Sequence, residues 1–129
     1  MPVLGIGGLF FRAHDPRALS VWYATHLGVG PGHSSDPAVA PSPWMWTAQG
    51  GPVVFAPFRQ DSDYFPADKA HMLNLRVGGL DALLDGLRGA GIHVVINPEW
   101  DTPETGRFAR IHDPEGNPVE LWEPPAATP

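Results

Sequence analysis

Asp113-Pro114-Glu115-Gly116-Asn117-Pro118-Val119-Glu120-Leu121 is the stretch on which the reading of the fold turns. Its first five residues are turn formers, and apolar-rich runs flank them: Phe108 to His112 before, Val119 to Trp122 after. That arrangement predicts a hairpin. With a three-residue loop Asp113 pairs with Asn117 and Arg110 lies opposite Glu120; with a four-residue loop Ile111 takes that place.

Working back from the hairpin, His93 to Ile96 reads as a short strand and Asn97 to Gly106 as loop. Leu80, Leu83, Leu84 and Leu87 form a helical stripe stopping at Gly91, and His71 to Val77 is a strand before it. Gln60 to Asp68 is polar and turn-rich, a linker. Trp44 to Ala48 and Pro52 to Phe58 read as a hairpin across Gln49-Gly50-Gly51. Residues 29–43 are loop-like, with an edge strand near Val39. Asp15-Pro16 opens a helix whose stripe is Leu19, Trp22, Tyr23 and Leu27, with His26 beside it and Gly28 at its end. Val3 to Ala13 reads as a first strand. The order strand, helix, three strands thus occurs twice. Leu9 to Ala13 lies over Leu73 to Val77 at an offset of 64, and Pro52-Val53-Val54-Phe55 over Pro118-Val119-Glu120-Leu121 at 66. A tail from Pro124 to Pro129 is expected to be disordered.

Composition bounds the function. The 129 residues suit one domain, and 43% hydrophobic content supplies a core. Fifteen glycines and 16 prolines call for loops and short elements. A net charge of -6 excludes a general nucleic-acid binder, which needs a basic face. No apolar run reaches the roughly 18 residues of a membrane span. MPVLGIGGLFFRAHD has neither the basic region nor the cleavage site of a secretion signal. The absence of cysteine excludes disulfides, thiolate metal sites and a cysteine nucleophile, and fits a cytoplasmic protein. Gly5, Gly7 and Gly8 are not spaced as a nucleotide loop, because Phe10 stands where the third glycine would be. Ser20, Ser34, Ser35, Ser42 and Ser62 carry no nucleophile elbow.

The helix from Asp15 through Trp22-Tyr23 to Leu27-Gly28, and the run Asp113 to Leu121, give a chain that resembles the vicinal oxygen chelate superfamily of glyoxalases, bleomycin-resistance proteins and extradiol dioxygenases. The resemblance covers residues 3–123. It implies an α+β fold: two βαβββ modules forming a curled mixed sheet around a cavity, helices outside. Module 1 would span about residues 3–59, the linker 60–68, module 2 about 69–123, in one domain of residues 1–129. It also implies a homodimer, with residues 29–43 and the Trp44/Trp46 strand as contact.

Metal-using members of the superfamily place one His, Gln or Glu on each of four strands. Matching the motifs puts Gly8, Val54 (or Phe55), Met72 and Glu120 at those positions, so Glu120 is the only ligand-type residue retained and no metal or other cofactor is expected. His71 could rescue the third position, but it shares the parity of Leu73, Leu75 and Val77, the side read as facing the helix. His14, His26, His33, His93 and His112 sit at turns, on a helix or near strand ends and read as surface or capped residues. Parity with Gly8 and Met72 puts Phe10, Arg12, Asn74 and Arg76 in the cavity, with Pro118 and Trp122 joining Glu120. Trp44 and Trp46 would line its mouth, and Arg110 joins if the loop has three residues.

The expected function is metal-free binding of a small molecule, anionic or aromatic, since two or three arginines face one carboxylate over aromatic walls. Two enzymatic readings stand beside it. One is a glyoxalase-like or dioxygenase-like enzyme with a degenerate metal site. The other is a metal-independent lyase or isomerase with Glu120 as general base and an arginine holding an oxyanion.

Overall fold

The computed structural model describes residues 2–126; residues 127–129 of the expected tail lie outside them. The elements are α1 (Pro16–Leu27), β1 (His33–Ser34), β2 (Trp46–Thr47), β3 (Leu73–Arg76), α2 (Leu80–Gly89), a 3-10 turn at Pro98–Trp100, β4 (Arg107–His112) and β5 (Pro118–Glu123). The fold is α+β. Strands β3, β5 and β4 form one sheet in that order, β3 parallel and β4 antiparallel to β5, while β1 and β2 form a separate parallel pair. The two sheets do not close into a barrel. No helix among the described residues is long and apolar enough to cross a membrane.

The hairpin has the three-residue loop. Asp113 N–H donates to the Asn117 carbonyl at 3.0 Å, and Arg110 sits opposite Glu120. One face of the sheet carries Leu75, Ala109, Ile111, Val119 and Leu121, which meet Leu19 and Tyr23 of α1 and Leu80, Leu84 and Leu87 of α2. Ala109, Ile111, Val119 and Leu121 are wholly buried. Burying each large side chain of this set favours the fold by roughly 1.5–3 kcal/mol.

The turn is also a clamp. The Asp113 carboxylate, 4% exposed, accepts from Tyr23 Oη at 2.7 Å, Glu115 N at 2.9 Å, Asn117 N at 3.0 Å and Asn117 Nδ2 at 2.8 Å. Glu115 reaches across to accept from the backbone of His14 and of Asp15, the latter at 3.0 Å. Asp15 itself caps α1 by accepting from Ala18 N at 3.1 Å, and Gly28 ends it at φ 65°. Helix α2 starts at Gly79, which has no side chain to cap with; Glu123 of β5 takes that part, accepting from Leu80 N at 2.7 Å. Each end of one hairpin therefore holds the start of one helix, where an anion meets unpaired N–H groups.

The first half departs from the expected modules. Residues 3–13 form no strand: no ladder partner lies beside them, and Leu4 and Phe10 are 98% and 95% exposed. The hairpin expected at 44–58 is absent. Trp46–Thr47 pairs in parallel with His33–Ser34, while residues 52–58 join no strand ladder among the described residues. Pro52 and Pro57 lack the N–H a ladder needs, and Gly51 sits at φ 147°, open only to glycine. Near Val39 there is a turn, Val39 N to Asp36 O at 3.1 Å, rather than an edge strand. The strand expected at His93–Ile96 shrinks to one antiparallel bridge, Val95 to Arg110.

Candidate functional site

The sheet face turned away from the helices carries the polar residues, because strand side chains alternate. Register aligns them in rungs: Asn74, Glu120 and Arg110 on one, Arg76, Trp122 and Phe108 on the next. A cleft of about 1580 Å³ runs along the open edge of β3, its wall taking Asn74 and Arg76 from the polar face, Leu73, Leu75 and Val77 from the other, and Gly8, Trp46, Val54, Met72 and Trp122 besides.

Glu120, 6% exposed, accepts from Asn74 Nδ2 at 2.7 Å on one oxygen and from the Tyr64 hydroxyl on the other. Both oxygens are therefore engaged, and Glu120 lies outside the cleft wall. Arg110, also 6% exposed, stands beside it without an ion pair within 4 Å among the described residues. Its guanidinium carbon lies 4.9 Å from the Tyr64 ring centre and 5.5 Å from that of Trp100. Those two rings are 5.8 Å apart, so they cover the guanidinium from one flank rather than sandwiching it. Phe58 extends this wall, 5.5 Å from Tyr64 and 5.6 Å from Phe65.

The remaining expected residues divide. Arg76 donates to the carbonyls of Pro52 at 2.9 Å, Gln49 at 3.1 Å and Gly50 at 3.3 Å, so its guanidinium holds the 49–52 segment and is not free for a ligand carboxylate. Trp122 stacks on Phe108, 6.3 Å between centres and 6° between planes, and donates Nε1–H to Thr105 O at 2.7 Å. Trp46 lines the cleft; Trp44 does not and is 73% exposed. Phe10 and Arg12 lie outside any strand, are exposed and are not on the cleft wall. His71 precedes β3 and meets Phe11 edge-on at 6.2 Å. Tyr64 and Trp100 were hidden in stretches that read as linker and loop; their only sequence signal is an aromatic residue in a polar run.

The expected metal positions do not make a metal centre. Gly8, Val54 and Met72 share the cleft wall but supply no oxygen or nitrogen side-chain donor, and Glu120 is engaged by Tyr64 and Asn74. Among the described residues no group of three or more His, Asp or Glu gathers where it could hold an ion. This donor set does not fit a divalent ion held by His, Gln or Glu side chains.

The chain has two tyrosines, and both ionise late. Burial, then the bond to Glu120, pushes Tyr64 up to about 12, with Arg110 pulling the other way. Burial, then the bond to Asp113, raises Tyr23 further. The folded protein is thus expected to show no tyrosinate absorbance near pH 10, where the unfolded chain ionises both rings. Because the unfolded state releases these protons first, stability should fall as pH rises from about 10 towards 12. Ultraviolet titration of folded and urea-unfolded protein checks this; tyrosinate appearing in both near pH 10 would refute it. Burial, then the charge of Arg110, holds His112 below the usual histidine range.

The chain matches the glyoxalase-like domain over residues 8–122. Among solved structures it is similar to TnmS3, an antibiotic binding protein from Streptomyces sp. CB03234, at 22% identity, covering 96% of this chain and 98% of that one with a TM-score of 0.59. It is also similar to a glyoxalase/bleomycin resistance protein from the same Streptomyces strain, at 24% identity over 84% and 91% of the two chains, TM-score 0.47. No curated protein matches the sequence.

Proposed function

The chain belongs to the glyoxalase-like domain family, and from that premise we propose that it is a binding protein for a flat, oxygen-bearing small molecule and works without metal. The observation that carries this is the cleft, whose wall combines Trp46, Phe58 and Trp122 with the polar groups of Asn74 and Gln49. Apolar walls with a few polar groups suit small-molecule recognition. Antibiotics belong to the ligand class considered, as TnmS3 is an antibiotic binding protein. The metal-free state is supported by the mismatch of Gly8, Val54 and Met72 with any hard cation. Glu120 as a general base is the less favoured reading, since its carboxylate accepts from two side chains and stands behind the cleft wall.

The reading includes two βαβββ modules in one domain, residues 3–59 and 69–123, completed by a homodimer. Exposed Leu4, Phe10 and Phe55, at 98%, 95% and 89%, support a second copy: so much apolar surface on unpaired extended backbone favours association.

Trp46 and Trp122 report on the cleft. Chelator-treated protein is expected to show saturable fluorescence change with members of a panel of aromatic acids, quinones and antibiotics, and light scattering to give a dimer at micromolar concentration. Stoichiometric metal that is lost in Glu120→Ala, together with binding that needs it, would overturn the metal-free reading. The absence of saturable binding across the panel would overturn the binding reading itself.

A further inference from the structure

Arg110 is nine-tenths buried, yet its Nε and Nη2 atoms have no hydrogen-bond partner among the described residues. A buried cation with unmet N–H donors is costly unless something accepts from them. Nε–H and Nη2–H lie on the same edge of the guanidinium and point parallel, the fork that matches the two oxygens of a carboxylate. The partner that register offers, Glu120, is held instead by Asn74 and Tyr64. The other cation on this face, Arg76, is committed to three backbone carbonyls.

We propose that Arg110 is the ligand's anchor: its free edge binds the carboxylate of an aromatic acid whose ring lies along Phe58 and Phe65 in the cleft. This rests on the small-molecule reading above and names its ligand class. The cleft reaches Phe58, Ser62 and Phe65, and Tyr64 stands between this end and Arg110. Neither Arg110 nor Tyr64 is on the cleft wall, and Tyr64, which lies outside every helix and strand, is the side chain that has to turn aside for the ligand to reach the guanidinium. When the ring turns aside it gives up Glu120 and opens the guanidinium edge.

Calorimetric titration of the full chain with 2-naphthoate and its neutral isostere 2-naphthamide tests this. Naphthoate is expected to bind roughly ten- to hundred-fold more tightly, the worth of a charge-assisted bidentate contact. Arg110→Lys, which keeps the charge but loses the fork, should erase most of that preference. Arg88→Lys, on the exposed surface of α2, should leave it intact. Equal binding of the two compounds by the native protein overturns the Arg110 assignment and leaves the small-molecule reading standing. Failure of naphthoate to bind also overturns it, while the panel titration judges the broader reading separately. If Arg110→Lys does not fold by circular dichroism, the native comparison decides alone.

Discussion

Asp113→Ala is expected to destabilise the protein by about 3–5 kcal/mol, the range for stripping a buried charge from partners that stay behind. Four donors converge on this carboxylate: Tyr23 Oη, Glu115 N, Asn117 N and Asn117 Nδ2. The substitution leaves the phenol unpaired in the core and loosens the turn that sets the β4–β5 register. Natural domains are stable by roughly 5–15 kcal/mol, so the loss takes a third or more of the whole. Tyr23→Phe removes one of the four bonds and should cost only about 1–2 kcal/mol. Urea unfolding of the three proteins measures the series. If Asp113→Ala shifts stability by less than about 0.5 kcal/mol, the usual range for an inert surface site, the clamp is not what holds the hairpin.

Gly106→Ala should come close to that damage for a different reason. Gly106 has φ 101°, and a Cβ there would collide with the Glu123 carbonyl oxygen and lie 3.1 Å from the Pro124 carbonyl carbon. The obstruction is backbone, so no side chain can rotate out of the way; the end of β5 has to shift. Roughly 3 kcal/mol or more is expected from strain and displacement together. The neighbouring Thr105 carbonyl, which holds Trp122 Nε1, moves too, so tryptophan emission should change. Gly116→Ala is the comparison: φ is 78°, but the new Cβ would meet only the flexible Lys69 side chain at 3.9 Å. About 1 kcal/mol, the cost of positive φ alone, is expected there. Thermal unfolding showing the two variants equal would mean that β5 yields freely at Glu123.

The second half of the chain was legible because its signals are local. Turn residues at 113–117 flanked by alternating strands leave little freedom, and the three-residue loop that fixes Arg110 against Glu120 was one of two registers readable from the sequence. Capping at Asp15 and Gly28 was similarly plain. The first half was not legible in the same way. Residues 3–13 and 52–58 have strand-like composition, but a strand exists only where a partner lies beside it, and composition carries no record of the partner. The site shows the same limit. Parity placed Asn74, Glu120 and Trp122 on one face, whereas the partners of Glu120 and Arg110 from outside the sheet, Tyr64 and Trp100, come from segments whose position depends on tertiary contact.

The contacts that close the structure also order its making. His14 to Glu115 spans 101 residues, Asp15 to Glu115 spans 100 and Tyr23 to Asp113 spans 90. On a ribosome α1 therefore emerges 90 to 101 residues before the carboxylates that grip it, and these contacts cannot form until those residues follow. Such distant closure folds slowly, because the loop entropy is lost before any contact repays it.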